Sequence, residues 1–65
     1  MDILWTQTKG SLVATAERVD GTKAKLTIMD GETTISEDTF TLKLGSNKGI
    51  ALENVLEWQQ KLDQA

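Results

Sequence analysis

Two Asp-Gly dipeptides, Asp20-Gly21 and Asp30-Gly31, constrain this chain more than any other feature. Each stands between stretches rich in Val, Ile, Thr and Leu, residues that suit a pleated, half-buried surface. In that setting Asp-Gly signals a two-residue hairpin of type I′, which needs positive φ at both central positions. The pattern predicts strands over 12–19, 22–29, 32–37 and 39–44, with 3–8 as an additional one. The last part of the chain reads as a helix. The expected class is α+β: an antiparallel sheet of four to five strands followed by one C-terminal helix packed on one face, in a single domain over 1–65.

The turns also imply a register. A two-residue turn at Asp20-Gly21 pairs Val19 with Thr22, Thr15 with Leu26 and Val13 with Ile28. The same turn at Asp30-Gly31 pairs Ile28 with Thr33 and Leu26 with Ile35. One face then carries Val13, Val19, Ala24, Leu26, Ile28 and Ile35, and both turns select it. Glu17 and Glu37 fall on that face as well, which places them at its rim or requires a bulge. The other face carries Leu12, Ala14 and Ala16 among polar residues, with Arg18 opposite Lys23 and Lys25 beside them. Like charges opposed across strands are unfavourable unless an anion visits. Lysines on a solvated face that blunt a sheet edge account for them equally well.

Asn54 followed by Glu57 has the spacing of a capping box, with Asn in place of Ser or Thr. On that reading the helix begins at Val55, and residues 49–52 form an extended arm leading into it. Val55, Trp58, Gln59 and Leu62 form one stripe, with Leu56 beside it. A start near Ser46 or Asn47 is the alternative, and Gly49 in the first turn weighs against it. Trp58 reads as core or dimer interface, and Phe40 as a core strand residue alternating with Leu42 and Leu44.

The chain has no histidine, cysteine or proline. Ser–His and Cys–His nucleophilic chemistry are thereby closed, and no enzymatic role is expected. Glu37 and Asp38 are neighbours on a strand and point to opposite faces, so they do not form an acid–base pair. The loop Gly45-Ser46-Asn47-Lys48-Gly49 lacks the Gly-Lys-Ser/Thr order of a phosphate-binding P-loop. No cofactor and no metal are called for. A chain of 65 residues buries little surface and has no disulfide to support it, so a homodimer is expected. Met1–Trp5 lacks the features of a signal peptide, and no apolar run is long enough to cross a bilayer. A soluble, cytoplasmic protein, cellular or viral, is expected. Seven Lys/Arg against ten Asp/Glu give a formal charge of −3, which argues against binding nucleic acid by bulk charge.

The tail resembles the end of the positive cofactor 4 family of single-stranded-DNA-binding proteins, transcriptional coactivators by type. That family has a basic Gly-rich turn, then Lys-Gly-Ile-Ser/Ala-Leu, then a cap residue and a helix with Trp at its fourth position. The matching residues are Gly45, Lys48, Gly49, Ile50, Ala51, Leu52 and Trp58. One extra residue follows Leu52, which Asn54 as cap accommodates. The resemblance implies a dimer with Trp58 and Leu62 at or near its interface. It also implies a sheet face that grips single-stranded DNA with little sequence preference. Lys48 matches the basic residue of the turn, and Arg18, Lys23 and Lys25 are the candidates on the exposed side of the central hairpin.

Two functions follow as expectations. One is a homodimeric single-stranded-nucleic-acid-binding protein acting in transcription, replication or recombination. The other is a small acidic protein-interaction module that binds no nucleic acid.

Overall fold

A computed structural model describes residues 2–43 and 52–65. It contains β1 (Asp2–Lys9), β2 (Leu12–Arg18), β3 (Lys23–Asp30), β4 (Thr33–Thr41) and α1 (Leu52–Gln64). The strands form one antiparallel sheet in the order β1-β2-β3-β4, and the helix lies across one of its faces. The α+β architecture is the expected one. The additional N-terminal strand is real, and the two strands expected over 32–37 and 39–44 are a single strand, β4.

The register differs from the expected one, and the turns explain why. Gly21 does not have positive φ, so the Asp20-Gly21 turn is not of type I′. Asp20 Oδ1 instead accepts the Thr22 N–H at 2.8 Å and the Thr22 hydroxyl at 3.2 Å. This local bond makes an Asx turn and lengthens the connection by one residue. Val19 N–H then bonds to Lys23 O at 3.0 Å, and Leu26 pairs with Ala16 rather than Thr15. A one-residue slip exchanges the two faces of a strand. Leu12, Ala14 and Ala16 therefore turn toward the helix. Val13 and Val19, expected in the core, are 41% and 51% exposed.

The second turn is also displaced. Asp30 pairs with Thr33, so the central residues are Gly31-Glu32, and only Gly31 has positive φ (63°). Gly10-Ser11, between Lys9 and Leu12, repeats the arrangement with φ 60° at Gly10. Glycine with positive φ at the first central position alone is the signature of type II′. A register shift in β4 then puts Ser36 opposite Ile28 and leaves Ile35 47% exposed instead of opposite Leu26.

The core lies between the sheet and α1. Ala14, Ala16 and Ala24 provide a floor of small side chains on which Trp58 and Leu62 rest, with Leu26 and Ile28 beside them, all buried. Trp58 packs against Trp5 at a ring separation of 5.8 Å and meets Phe40 edge-on at 6.5 Å. Such aromatic pairs add ~0.5–1.5 kcal/mol each beyond area burial. The Trp58 Nε1 has no hydrogen-bond partner among the described residues.

Asn54 is not the helix cap. The helix already includes Leu52, and Asn54 is fully buried within its first turns. Its Oδ1 accepts the Lys43 N–H at 2.8 Å, and its Nδ2 donates to Thr41 O at 3.1 Å. The side-chain amide thus ties the start of α1 to the end of β4. At the other end, Lys9 Nζ donates to Asp63 O at 2.8 Å and Leu62 O at 3.4 Å. A lysine is favoured there because the last carbonyls of a helix lack partners and carry partial negative charge. Of the expected arm, residues 49–51 lie outside the described residues. No described helix is long and apolar enough to cross a membrane.

Candidate binding face

The face of the sheet away from α1 is open, and its composition follows from the register. Thr6, Thr15, Thr27 and Glu37 form one cross-strand row, and Thr8, Val13, Met29 and Thr34 form the next. A third row runs Ile3, Glu17, Lys25 and Thr39, and Lys23 stands opposite Thr41 at the end. Val13, Thr15, Thr27 and Met29, with Gly31, line a shallow depression of about 300 Å³ between β2 and β3, toward the Gly31 turn. Threonine suits such a surface, because its branched side chain packs on the pleat while its hydroxyl faces water.

Of the basic residues expected to act together, Arg18 is separated from Lys23 and Lys25. Arg18 pairs with Ala24, not with Lys23, and so belongs to the helix-side face. There Arg18 Nη1 donates to Gly21 O at 3.2 Å, and Nε stands 3.9 Å from Asp2 Oδ2. Lys23 and Lys25 do lie on the open face. Lys25 sits directly across from Glu17, and its Nζ is 3.6 Å from Glu37 Oε2. Lys25 thus meets both glutamates, the two lysines and two glutamates of this face balance in charge, and the excess of acid that gives the chain its −3 lies elsewhere. Lys48 lies outside the described residues.

The aromatics are not on this face. Trp5 pairs with Ala16 and Phe40 with Ala24, both on the helix side, where they meet Trp58. Trp58 and Leu62 have no exposed surface, since the sheet of the same chain covers them. The exposed apolar flank of α1 is formed by Leu52 and Leu56, 71% and 53% exposed and one turn apart.

No family model, curated protein or solved structure matches the chain. What this surface can do therefore rests on its own chemistry.

Among the described residues two ionisable groups are shifted, Asp20 and Lys43. The Thr22 N–H bonded to its carboxylate, with the Thr22 hydroxyl assisting, holds the Asp20 pKa below its ordinary 3.8. Glu53 raises the Lys43 ammonium above 10.5 by accepting its hydrogen bond at 2.9 Å. Each fastens a junction: Asp20 the β2–β3 turn, Lys43 the approach of β4 to α1. Among the described residues no cluster of acidic side chains is arranged to hold a metal ion.

Sequence reasoning overlooked Val13 as a surface residue and Asn54 as a bridge, whereas Met29 lies on the open face as the alternation of β3 implies. A signal for the first was present: the alternate set Leu12, Ala14, Ala16 is uniformly apolar, whereas Val13, Thr15, Glu17 is not. Asn54 offered none, because its partners are 11 and 13 residues away.

Proposed function

We propose that this chain is a small protein-interaction module of the cytoplasm that docks through its open sheet face, with a second copy of itself as the occupant. One observation carries the reading: the open face is neutral in net charge, free of aromatics, and carries the apolar pair Val13 and Met29 between its two inner strands. Two molecules of charge −3 repel one another on average. Surfaces on which Lys23 and Lys25 offset Glu17 and Glu37 can meet without that repulsion. Sheet faces rich in Thr, Val and Met pack on one another in sandwiches about 10 Å apart. Self-docking would also enlarge the small core, which is the common remedy for a short chain without disulfides.

Sedimentation over a concentration series tests this. The wild type should dimerise in the micromolar range, and Val13→Lys/Met29→Glu should remain monomeric. These two residues pair directly across strands, so the substitution keeps net charge and adds a favourable cross-strand pair. A dimer held by α1, as the family resemblance implies, would instead be broken by Leu56→Glu and left intact by the double substitution. A wild type that stays monomeric at high concentration would refute self-docking altogether.

Single-stranded-nucleic-acid binding is the second reading. One specific observation favours it: Lys23 and Lys25 stand on the open face, on the same side of one strand. The offsetting glutamates and the absence of a base-stacking aromatic there favour the protein partner.

A further inference from the structure

We propose that the outer edge of β4 takes an extended, basic segment of a protein partner as an added strand, with side chains received in the groove between β4 and α1. This goes beyond the self-docking reading and does not depend on it, because the edge and groove lie outside the open face.

β4 points its backbone groups alternately toward β3 and away from it. Leu42 N–H donates to Thr22 O at 2.7 Å, so position 42 faces β3. Bonding alternates along an antiparallel strand, so 40 and 38 also face β3, while 41, 39 and 37 face outward. Thr41 O and Lys43 N–H are thus outward groups, and both are bonded by the single amide of Asn54. That side chain makes the pair of bonds a neighbouring strand would make. The fold completes the last rung of this edge with an amide of its own. The rungs at Thr39 and Glu37 come next, and among the described residues no strand lies beyond them.

A groove runs beside these rungs. Phe40, Glu57, Gln60 and Lys61 line a depression of about 220 Å³. A second of about 240 Å³, also reached by Lys61, extends to Ile35 and Asp38. An exposed edge strand with a groove beside it, here largely polar with Phe40 and Ile35 as its apolar contacts, is an arrangement by which sheets take peptide strands. Main-chain bonds give the affinity, and alternate side chains in the groove give the specificity.

Charge selects the occupant. Asp38 accepts the Ser36 hydroxyl at 3.3 Å, and neither it nor Glu57 has an ion-pair partner within 4 Å among the described residues. Lys61 lines the same groove, so the two carboxylates exceed its cation by one charge. A second copy of β4 paired antiparallel about its middle would set Glu37 against the same residue, which is unfavourable. A strand carrying Lys or Arg on its groove side meets Asp38 and Glu57 instead.

Fluorescence-anisotropy titration with a labelled peptide of alternating Lys and Val tests the proposal. Peptides of alternating Glu and Val, and of alternating Lys and Pro at the same charge, serve as controls. The Lys/Val peptide should bind about tenfold or more tightly than either. Its binding should slow amide hydrogen exchange at Glu37 and Thr39. Thr39→Pro removes an outward N–H and no bond to β3, so it should abolish binding while the melting transition remains. If that variant does not fold, Asp38→Asn should weaken binding severalfold in a folded protein. Val13→Lys/Met29→Glu should bind the peptide as the wild type does, which separates this edge from the open face. Equal binding of the Lys/Pro peptide, unchanged exchange at Glu37 and Thr39, or no binding of the Lys/Val peptide would overturn the proposal.

Discussion

Replacing Asn54 tests the junction on which the helix–sheet geometry depends. Its amide makes two bonds, to Lys43 N–H and Thr41 O, at 2.8 and 3.1 Å. Each is worth about 1 kcal/mol net, and the groups left behind add a further cost. Thr41 and Lys43 are exposed residues, so water recovers part of that cost. For Asn54→Leu, which nearly conserves volume, the loss comes to ~2–3 kcal/mol. In a domain this small each kcal/mol shifts melting by ~4–8 °C, so the transition should fall by roughly 10–20 °C. Asn54→Ser separates the bridge from a cap. Serine caps a helix as well as asparagine does, so a capping role predicts almost no change. A serine hydroxyl cannot span both Lys43 and Thr41, so the bridge predicts a loss close to that of leucine. Asn54→Asp keeps the acceptor for Lys43 but turns an oxygen toward Thr41 O. Burial and that contact should raise its folded pKa above the ordinary carboxylate value. The variant should then be weakened at neutral pH and recover as pH falls and the protonated carboxyl donates to Thr41. Thermal melting followed by circular dichroism is the assay. A serine variant that melts with the wild type would refute the bridge.

Other consequences of the fold can be measured in the same way. Lys9→Met should cost ~0.3–1 kcal/mol by uncapping the last turn of α1, and the difference should shrink in salt. Trp58→Ala should cost ~3–5 kcal/mol and leave little folded protein. Trp58→Phe should cost clearly less, because the unpartnered Nε1 leaves with the indole. The lowered pKa of Asp20 means its contribution to stability is present above pH 3.8 and is lost as pH falls through the folded value. Asp20→Asn, which keeps an acceptor for Thr22, should flatten that acid limb in a pH series of melts. Lys43 has the opposite sign: its contribution holds below pH 10.5 and is lost above its raised folded value. Lys43→Met should remove that alkaline limb.

What could be read from the sequence was set by local chemistry. The alternation of Val, Thr, Ile and Leu marked the strands, and the spacing of Val55, Trp58, Gln59 and Leu62 marked the buried side of the helix. Glycine after aspartate marked the turns but not their length. At Asp20 the side chain captured the Thr22 N–H, one residue entered the loop, and every side chain of β2 changed faces. That one bond moved Val13 from the core to the surface and separated Arg18 from Lys23. The Gly10-Ser11 turn was not among those expected, although Gly-Ser between strands is a type II′ signal. Asn54 obeyed a local capping rule in sequence but was drawn to partners on β4 in space. Its role, like the neutrality of the open face, depends on long-range register.

That the open face is built for protein rather than for phosphate is the central claim, and an oligonucleotide titration at low and at raised salt tests it most directly. Single-stranded DNA and RNA should show no saturable binding even at low salt. Binding that weakens steeply as salt rises, by about 0.7 in log–log slope for each phosphate contact, and that is lost in Lys23→Ala/Lys25→Ala, would contradict it.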